Sequence, residues 1–230
     1  YIIKAAFFVL LPQNCTAMIH WDIVAKNLRQ DMKDYLQTMG LKALVVGESG
    51  GIDSALCSVL FYPVCQELGI EMIGRSIAIE SNTPSERERG KNIGLNFCTN
   101  FREVDLTEMY HLALPFLEED LEGDPGSKTV RLRRGNIKAR MRMMYLFNLA
   151  QRHRGMVLST DNHTEWQLGF WTLHGDVGDY VPLTSLWKTE VYELSRYLCG
   201  ELEDDQARAA LQACIEATPT DGLGISASDV

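Results

Sequence analysis

The sequence predicts an α/β fold, a doubly wound and mainly parallel sheet with helices on both faces, and three observations predict it. Residues 43–46 (ALVV) are apolar without alternation, as a strand covered on both faces should be. A turn follows at once, Gly47-Glu48-Ser49-Gly50-Gly51-Ile52-Asp53-Ser54, and Ala55, Leu56, Val59 and Leu60 then recur at helical spacing. Downstream, short apolar runs keep alternating with longer amphipathic ones, the order that winds helices onto both faces of a parallel sheet.

The elements can be justified in turn. In residues 19–39 the apolar positions Val24, Leu28, Met32, Tyr35, Leu36 and Met39 recur at three and four, and Gly40 closes a surface helix. The helix after the turn spans 53–68 and stops at Gly69. Residues 71–79 read as a second strand. Thr83-Pro84-Ser85-Glu86 is a helix start, with a Thr cap, Pro at the first helical position and Glu at the third to close a capping box. The loop before it, Glu80-Ser81-Asn82, falls at a strand's carboxyl end, where an adenine contact or a plain connection would both fit. Residues 101–106 give a third strand and 107–121 a helix, while 118–127 (EEDLEGDPGS) read as a solvated loop. Helical periodicity resumes through Ile137, Met141, Met144 and Leu149 and ends near Gly155. Residues 156–159 are a fourth strand, 181–186 an extended segment, and 187–198 and 205–215 the last helices. With no repeat and no interdomain linker, 19–230 read as one domain and 1–18 as an N-terminal extension.

At 230 residues and 46% hydrophobic, the chain can bury a sizeable core. A formal charge of −9 argues against a general nucleic-acid binder, and any site for anionic ligands must concentrate its positive charge locally. The six cysteines are scattered and form no C-x-x-C pair, so neither a zinc site nor a redox pair is indicated, and a reduced, cytoplasmic protein is expected. Residues 2–11 have the length of a signal-peptide core but almost no basic leader, and no apolar run has the length of a membrane span.

Chemistry enters at the turn. Gly50 and Gly51 lack Cβ, so successive N–H groups can approach a ligand, and with the following helix N-terminus they make an anion site suited to a phosphate chain. No Gly-Lys-Ser/Thr follows, which excludes a Walker loop, and the dinucleotide G-x-G-x-x-G is absent. Ser49-Gly50-Gly51-Ile52-Asp53-Ser54 instead resembles the pyrophosphate loop of the N-type ATP pyrophosphatases, which cleave ATP between its α and β phosphates. Glu48 stands where that family carries a small or apolar residue. A carboxylate aimed at phosphates would repel them, so Glu48 is expected to point away from the ligand.

Residues 128–142 hold Lys128, Arg131, Arg133, Arg134, Lys138, Arg140 and Arg142 and no acidic residue, in an acidic protein. Such a run is either a solvated basic face or a seat for an anionic substrate. Asn136 and Arg140 share one helix face, Lys138 and Arg142 another. Gly135-Asn136-Ile137-Lys138-Ala139-Arg140-Met141-Arg142-Met143 resembles the substrate helix of the ammonia-dependent NAD synthetases, a branch of the ATP pyrophosphatases. Ser159-Thr160-Asp161-Asn162-His163-Thr164-Glu165, Leu168-Gly169-Phe170-Trp171-Thr172, His174-Gly175-Asp176 and Trp187-Lys188-Thr189 are similar to further segments of that family, in the same order. One departure is Gly175-Asp176-Val177-Gly178-Asp179, where the family has Gly-Asp-Gly-Gly-x-Asp.

The resemblance implies a two-step reaction. The nicotinate carboxylate of deamido-NAD attacks the α-phosphate of ATP, releasing pyrophosphate, and ammonia then displaces AMP to leave NAD. It implies that Gly47, Ser49, Gly50, Gly51, Ile52, Asp53 and Ser54 form the ATP loop, that Thr160 contacts ATP, and that Lys188 places its ammonium on the phosphates. Asp53 and Glu165 would be Mg²⁺ ligands; Asn136, Arg140, Arg142, Thr220 and Asp221 would bind the substrate. Asp176 would lie by the nicotinate carboxyl and help receive or deprotonate ammonium. A homodimer is implied, with neither nucleic acid nor membrane as partner. Two other readings stand beside this one: another ATP pyrophosphatase, GMP-forming or tRNA-modifying, and a non-catalytic nucleotide-binding regulatory protein.

Overall fold

The computed structural model describes residues 19–80, 82–118, 124 and 126–220. The 1–18 extension, Ser81, most of the acidic loop and Asp221 lie outside them. In order the elements are α1 (Trp21–Met39), β1 (Ala43–Gly47), α2 (Ile52–Leu68), β2 (Glu71–Ala78), α3 (Pro84–Phe97) and β3 (Asn100–Asp105). Then come α4 (Thr107–Leu117), α5 (Lys128–Arg152), β4 (Gly155–Val157), α6 (His163–Leu168), α7 (Lys188–Glu201) and α8 (Asp205–Glu216). The four strands are parallel in the order β3-β2-β1-β4.

The apolar run that opened the sequence argument is β1, inside the sheet, and its side chains go to both faces. Leu44 and Val46 join a core with α1, α2, α3, α7 and α8; Ala43 and Val45 join a second core with α4 and α5. β1 pairs with β2 through Val45↔Ile73 and with β4 through Val45↔Val157, so the three strands share this division. Helix α2 is buried along most of its length, which explains why it is apolar nearly all round. It begins at the carboxyl edge of β1, so its N-terminus faces the crevice where α/β sheets bind ligands.

The local end signals hold. Gly40 and Gly69 take left-handed caps with φ of 63° each, and Thr83 and Glu86 form the reciprocal capping box expected of them. Two expectations are corrected. Residues 181–186 are not extended: after a single bridge from Tyr180 to Leu158 the chain turns, with the Thr184 hydroxyl donating to Val181 O at 3.1 Å and Leu186 N–H to Leu183 O at 2.9 Å. Pro182 cannot donate to a ladder, which is reason enough. The helix α6 was not expected, because its six residues bury no apolar face and so carry no periodicity.

Candidate functional site

The phosphate-type loop is held by its own hydroxyls. Ser49 Oγ lies 3.1 Å from Ser54 Oγ and accepts the Gly51 N–H at 3.2 Å, while Ser54 donates to Gly51 O at 3.1 Å. Gly50 has φ of +84°, and a Cβ there would stand 2.2 Å from the backbone oxygen of Glu86. Glycine is therefore required at this position on two grounds, left-handed backbone and contact with α3. Gly50→Ala is expected to destabilise the protein by about 2 kcal/mol or more and to abolish ATP binding. Urea unfolding and nucleotide titration check both parts, and an unchanged midpoint would contradict the clash.

Across the carboxyl ends of β1 and β4 three helices bring charged groups together. Asp53, in the first turn of α2, accepts Lys188 Nζ at 2.5 Å and Asn162 Nδ2 at 2.9 Å. Lys188, the first residue of α7, also reaches Glu165 Oε1 at 3.4 Å. Glu165 is fixed by a capping box with Asn162, the Asn162 N–H donating to Glu165 Oε2 and the Glu165 N–H to Asn162 Oδ1, each at 3.1 Å. Burial, then the Asp53 charge, push the Glu165 carboxyl up to about 7 against the pull of Lys188. Burial alone would lower the Lys188 ammonium, but its two carboxylate neighbours outweigh that and raise it. Two carboxylates thus converge on one cation, and all the acceptor atoms are oxygen.

A second half of the site lies along α5. Thr172 donates its hydroxyl to Asn136 Oδ1 at 2.7 Å and its N–H to both Asp176 oxygens, at 2.9 and 3.0 Å. Arg140 Nε donates to Leu173 O at 3.2 Å. Asn136 and Arg140 do share a face, and it meets the 172–176 segment. Burial raises the Asp176 carboxyl to about 6, the Thr172 N–H opposing it. Ser159 joins the halves: its hydroxyl donates to buried Asp161 and lies 3.4 Å from Asp176 O. Thr160, half-buried, sits between them in sequence.

Arg142 goes elsewhere. Its Nε donates to Ile77 O at 3.2 Å and its Nη2 to Asn82 Oδ1 at 2.9 Å, and burial lowers the guanidinium to about 10. There it lines a cavity of about 120 Å³ with Gly47, Ser49, Ile77 and Asn82. Lys138, on the same face, pairs with Glu80 Oε2 at 3.1 Å. A larger depression of about 790 Å³ lies among α1, α2, α3, α7 and α8, lined by Lys26, Tyr62 and Tyr197 among others, and none of Asp53, Glu165 and Lys188 lines it. Chemistry rather than size therefore assigns the site.

Glu48 is buried; it lines the small cavity with Arg142, and its carboxyl is bonded toward α2 and Cys98. Its Oε1 accepts the Ser58 hydroxyl and the Cys98 thiol, its Oε2 has no partner, and burial pushes the carboxyl up to about 8. The other aspartate of the 175–179 segment is turned to the sheet. Asp179 accepts the Val157 N–H at 2.9 Å and donates its own N–H to Val157 O at 2.8 Å, a structural contact at the sheet edge. Thr220 donates to Glu86 Oε1 at 2.6 Å, behind the phosphate-type loop. The thiols of Cys57, Cys65 and Cys214 are buried and raised by that burial, which leaves them poor nucleophiles. Sequence reasoning missed Asn162, Asn82 and Thr172 as parts of these networks. For Asn162 a signal existed in Asn-x-x-Glu, an N-cap box.

The family model described as NAD synthase matches residues 24–229. An NH(3)-dependent NAD(+) synthetase from Finegoldia magna is 33% identical over 177 residues, covering 76% of this chain and 68% of that protein. One from Mannheimia succiniciproducens is 31% identical over 191 residues, covering 83% and 70%. Among solved structures, an NMN synthetase from Francisella tularensis superposes with a TM-score of 0.77 at 24% identity, over 92% of this chain and 80% of that one. That last likeness bears on the fold alone.

Proposed function

The chain belongs to the NAD synthase family of ATP-using ligases that form a carbon–nitrogen bond, and from that membership we propose that it amidates deamido-NAD with ammonia through an adenylated intermediate, releasing AMP and pyrophosphate. The observation that carries the reading is Lys188 Nζ set between Asp53 and Glu165, at 2.5 and 3.4 Å, beside the Ser49–Ser54 loop. Triphosphate binding needs positive charge at this point in a chain of net charge −9, and Lys188 with the α2 and α7 N-termini supplies it.

In this reading Gly47, Ser49, Gly50, Gly51, Ile52 and Ser54 cradle the pyrophosphate part of ATP, and Thr160 contacts the nucleotide. Asp53 and Glu165 would hold Mg²⁺: their all-oxygen donor set, already drawing in an ammonium, fits a hard cation that takes its remaining ligands from phosphate and water. The ion would supply neutralisation of the phosphate charge. Lys188 moves from the carboxylates to the phosphates as charge develops there. Asn136 and Arg140 orient the deamido-dinucleotide, and Asp176, with its carboxyl raised to about 6, takes a proton from the incoming ammonium. Arg142 stands on the adenosine side, and the cavity beside Asn82 takes the base. Thr220 and Asp221 are kept as substrate contacts by resemblance to the family alone, since Thr220 here bonds Glu86 behind the loop. A homodimer is supported by exposed apolar side chains on adjoining helices, Leu112 and Phe116 on α4 and Leu132, Met144 and Phe147 on α5. A cytoplasmic location follows from the substrates; among the described residues no helix is long and apolar enough to cross a membrane.

The test is direct. Purified protein with deamido-NAD, ATP, Mg²⁺ and ammonium should yield NAD, AMP and pyrophosphate in equal amounts. No AMP under saturating conditions would remove the enzymatic reading. AMP formed only with the deamidated mononucleotide or another acceptor would keep the chemistry and replace the substrate.

A further inference from the structure

Helix α3 touches the phosphate-type loop from behind at three places that the proposed chemistry does not use. Arg89 Nε donates to Gly50 O at 2.8 Å. Gly50 packs so tightly on Glu86 that no Cβ fits, and Gly90 packs so tightly on Glu48 O that a Cβ there would stand at 2.5 Å. Glu86, buried, holds the Thr83 N–H at 2.8 Å and the Thr220 hydroxyl at 2.6 Å. Two backbones in contact, with a guanidinium bonded across the seam, make a rigid support.

The Arg89 bond has a directional consequence. The carbonyl of Gly50 and the N–H of Gly51 belong to one planar trans peptide and point opposite ways. Fixing the carbonyl toward α3 therefore fixes the Gly51 N–H away from it, toward the loop's open side, where Ser49 Oγ accepts it at 3.2 Å. Without Arg89 the Ser49 Oγ bond alone orients this peptide, and glycine on both sides lets it tilt more readily than other residues would. The carbonyl could then turn its negative end toward the ligand.

We infer that Arg89 is a positioning residue for pyrophosphate binding, acting through the Gly50-Gly51 peptide, with α3 as the fixed support of the loop. The inference rests on the proposed ATP-dependent reading but is separable from it, since it is read by binding. Arg89→Met removes the donor and keeps the apolar stem. It is expected to weaken pyrophosphate about tenfold, as loss of one oriented N–H to a charged ligand does, while AMP binds as before. In turnover, KM for ATP should rise in the same proportion, with kcat within about threefold and KM for the nucleotide acceptor unchanged. Arg89→Lys, which keeps a donor on the stem, should restore part of the pyrophosphate affinity. Equal losses for pyrophosphate and AMP would show general loosening of the fold and overturn the inference, as would unchanged pyrophosphate affinity. If Arg89→Met does not fold, Arg89→Lys against wild type decides it by the same pyrophosphate-to-AMP ratio. Failure of the wild-type protein to make AMP would instead overturn the proposed function and leave the binding comparison standing.

Discussion

Replacing Asp53 by Asn is expected to lower AMP formation by on the order of 10³-fold while leaving the fold intact. The side chain keeps its shape, so Asn162 Nδ2 can still be accepted, and the ammonium of Lys188 retains Glu165. What disappears is one of two negative charges on a shared cation. Thermodynamically the lost attraction for Lys188 is offset in part, because Asp53 also repels Glu165 and helps raise its carboxyl to about 7. Catalytically it is severe, because the phosphate-side cation loses half its protein ligands. The measurement is turnover at saturating ATP over a series of Mg²⁺ concentrations, beside a thermal melt. Activity kept at ordinary Mg²⁺ would remove the metal role from Asp53, and a collapsed melting curve would mean the carboxylate is structural.

Glu48→Gln is expected to stabilise the protein in alkaline solution and to flatten its pH dependence. The folded-state value of about 8 stands above the ordinary 4.5, so unfolding between those two values releases a proton. Stability then falls as the pH rises through that window, by about 1.4 kcal/mol per pH unit, and levels off above the folded value. The whole decline is on the order of 5 kcal/mol, a large part of the stability of any domain. Gln has nearly the same shape, accepts from Ser58 in the same way and cannot ionise. Its amide nitrogen falls where Oε2 now has no partner, which trades an ionisable buried atom for an orphaned donor. Urea unfolding of both proteins at pH 5 and pH 8.5 separates the two effects: the difference between them should shift by several kcal/mol toward the variant at the higher pH. Parallel behaviour across the range would mean that Glu48 is not buried neutral.

The sequence carried the loop, its strand and its helix because each rests on a local pattern: an unbroken apolar run, glycines where the backbone must be left-handed, and regular spacing afterward. It carried Asn136 and Arg140 as a pair for the same reason, since four residues apart on a helix means one face. What it could not carry was direction in space. Arg142 lies two residues beyond Arg140, and helix rotation alone sends it to Asn82 and the small cavity, not to Thr172 and Asp176. Glu48 looked out of place beside a phosphate site because its neighbours in the fold, Ser58 ten residues on and Cys98 fifty, are not set by local pattern. Buried among those neighbours, Glu48 puts its charge beside α2 and Cys98. Arg89 was invisible for a related reason: an arginine in a charged helix looks solvated until its partner, a carbonyl 39 positions away, is known.

Asp179 bears on how the molecule avoids others of its kind. β4 is only three residues long and borders the sheet. Such a border presents unpaired amides that a second chain could extend into a continuous ladder. The Asp179 carboxylate and N–H take both polar groups of Val157, and Tyr180 O takes the Ser159 N–H at 2.9 Å. The opposite border, β3, instead exposes Arg102 and Glu103. One margin is thus closed by the main chain of residues 179–180 with the help of one carboxylate, and the other is guarded by charge. At β4 the polar groups of Val157 are therefore taken within the chain, and Asp179 has a structural use without touching a substrate.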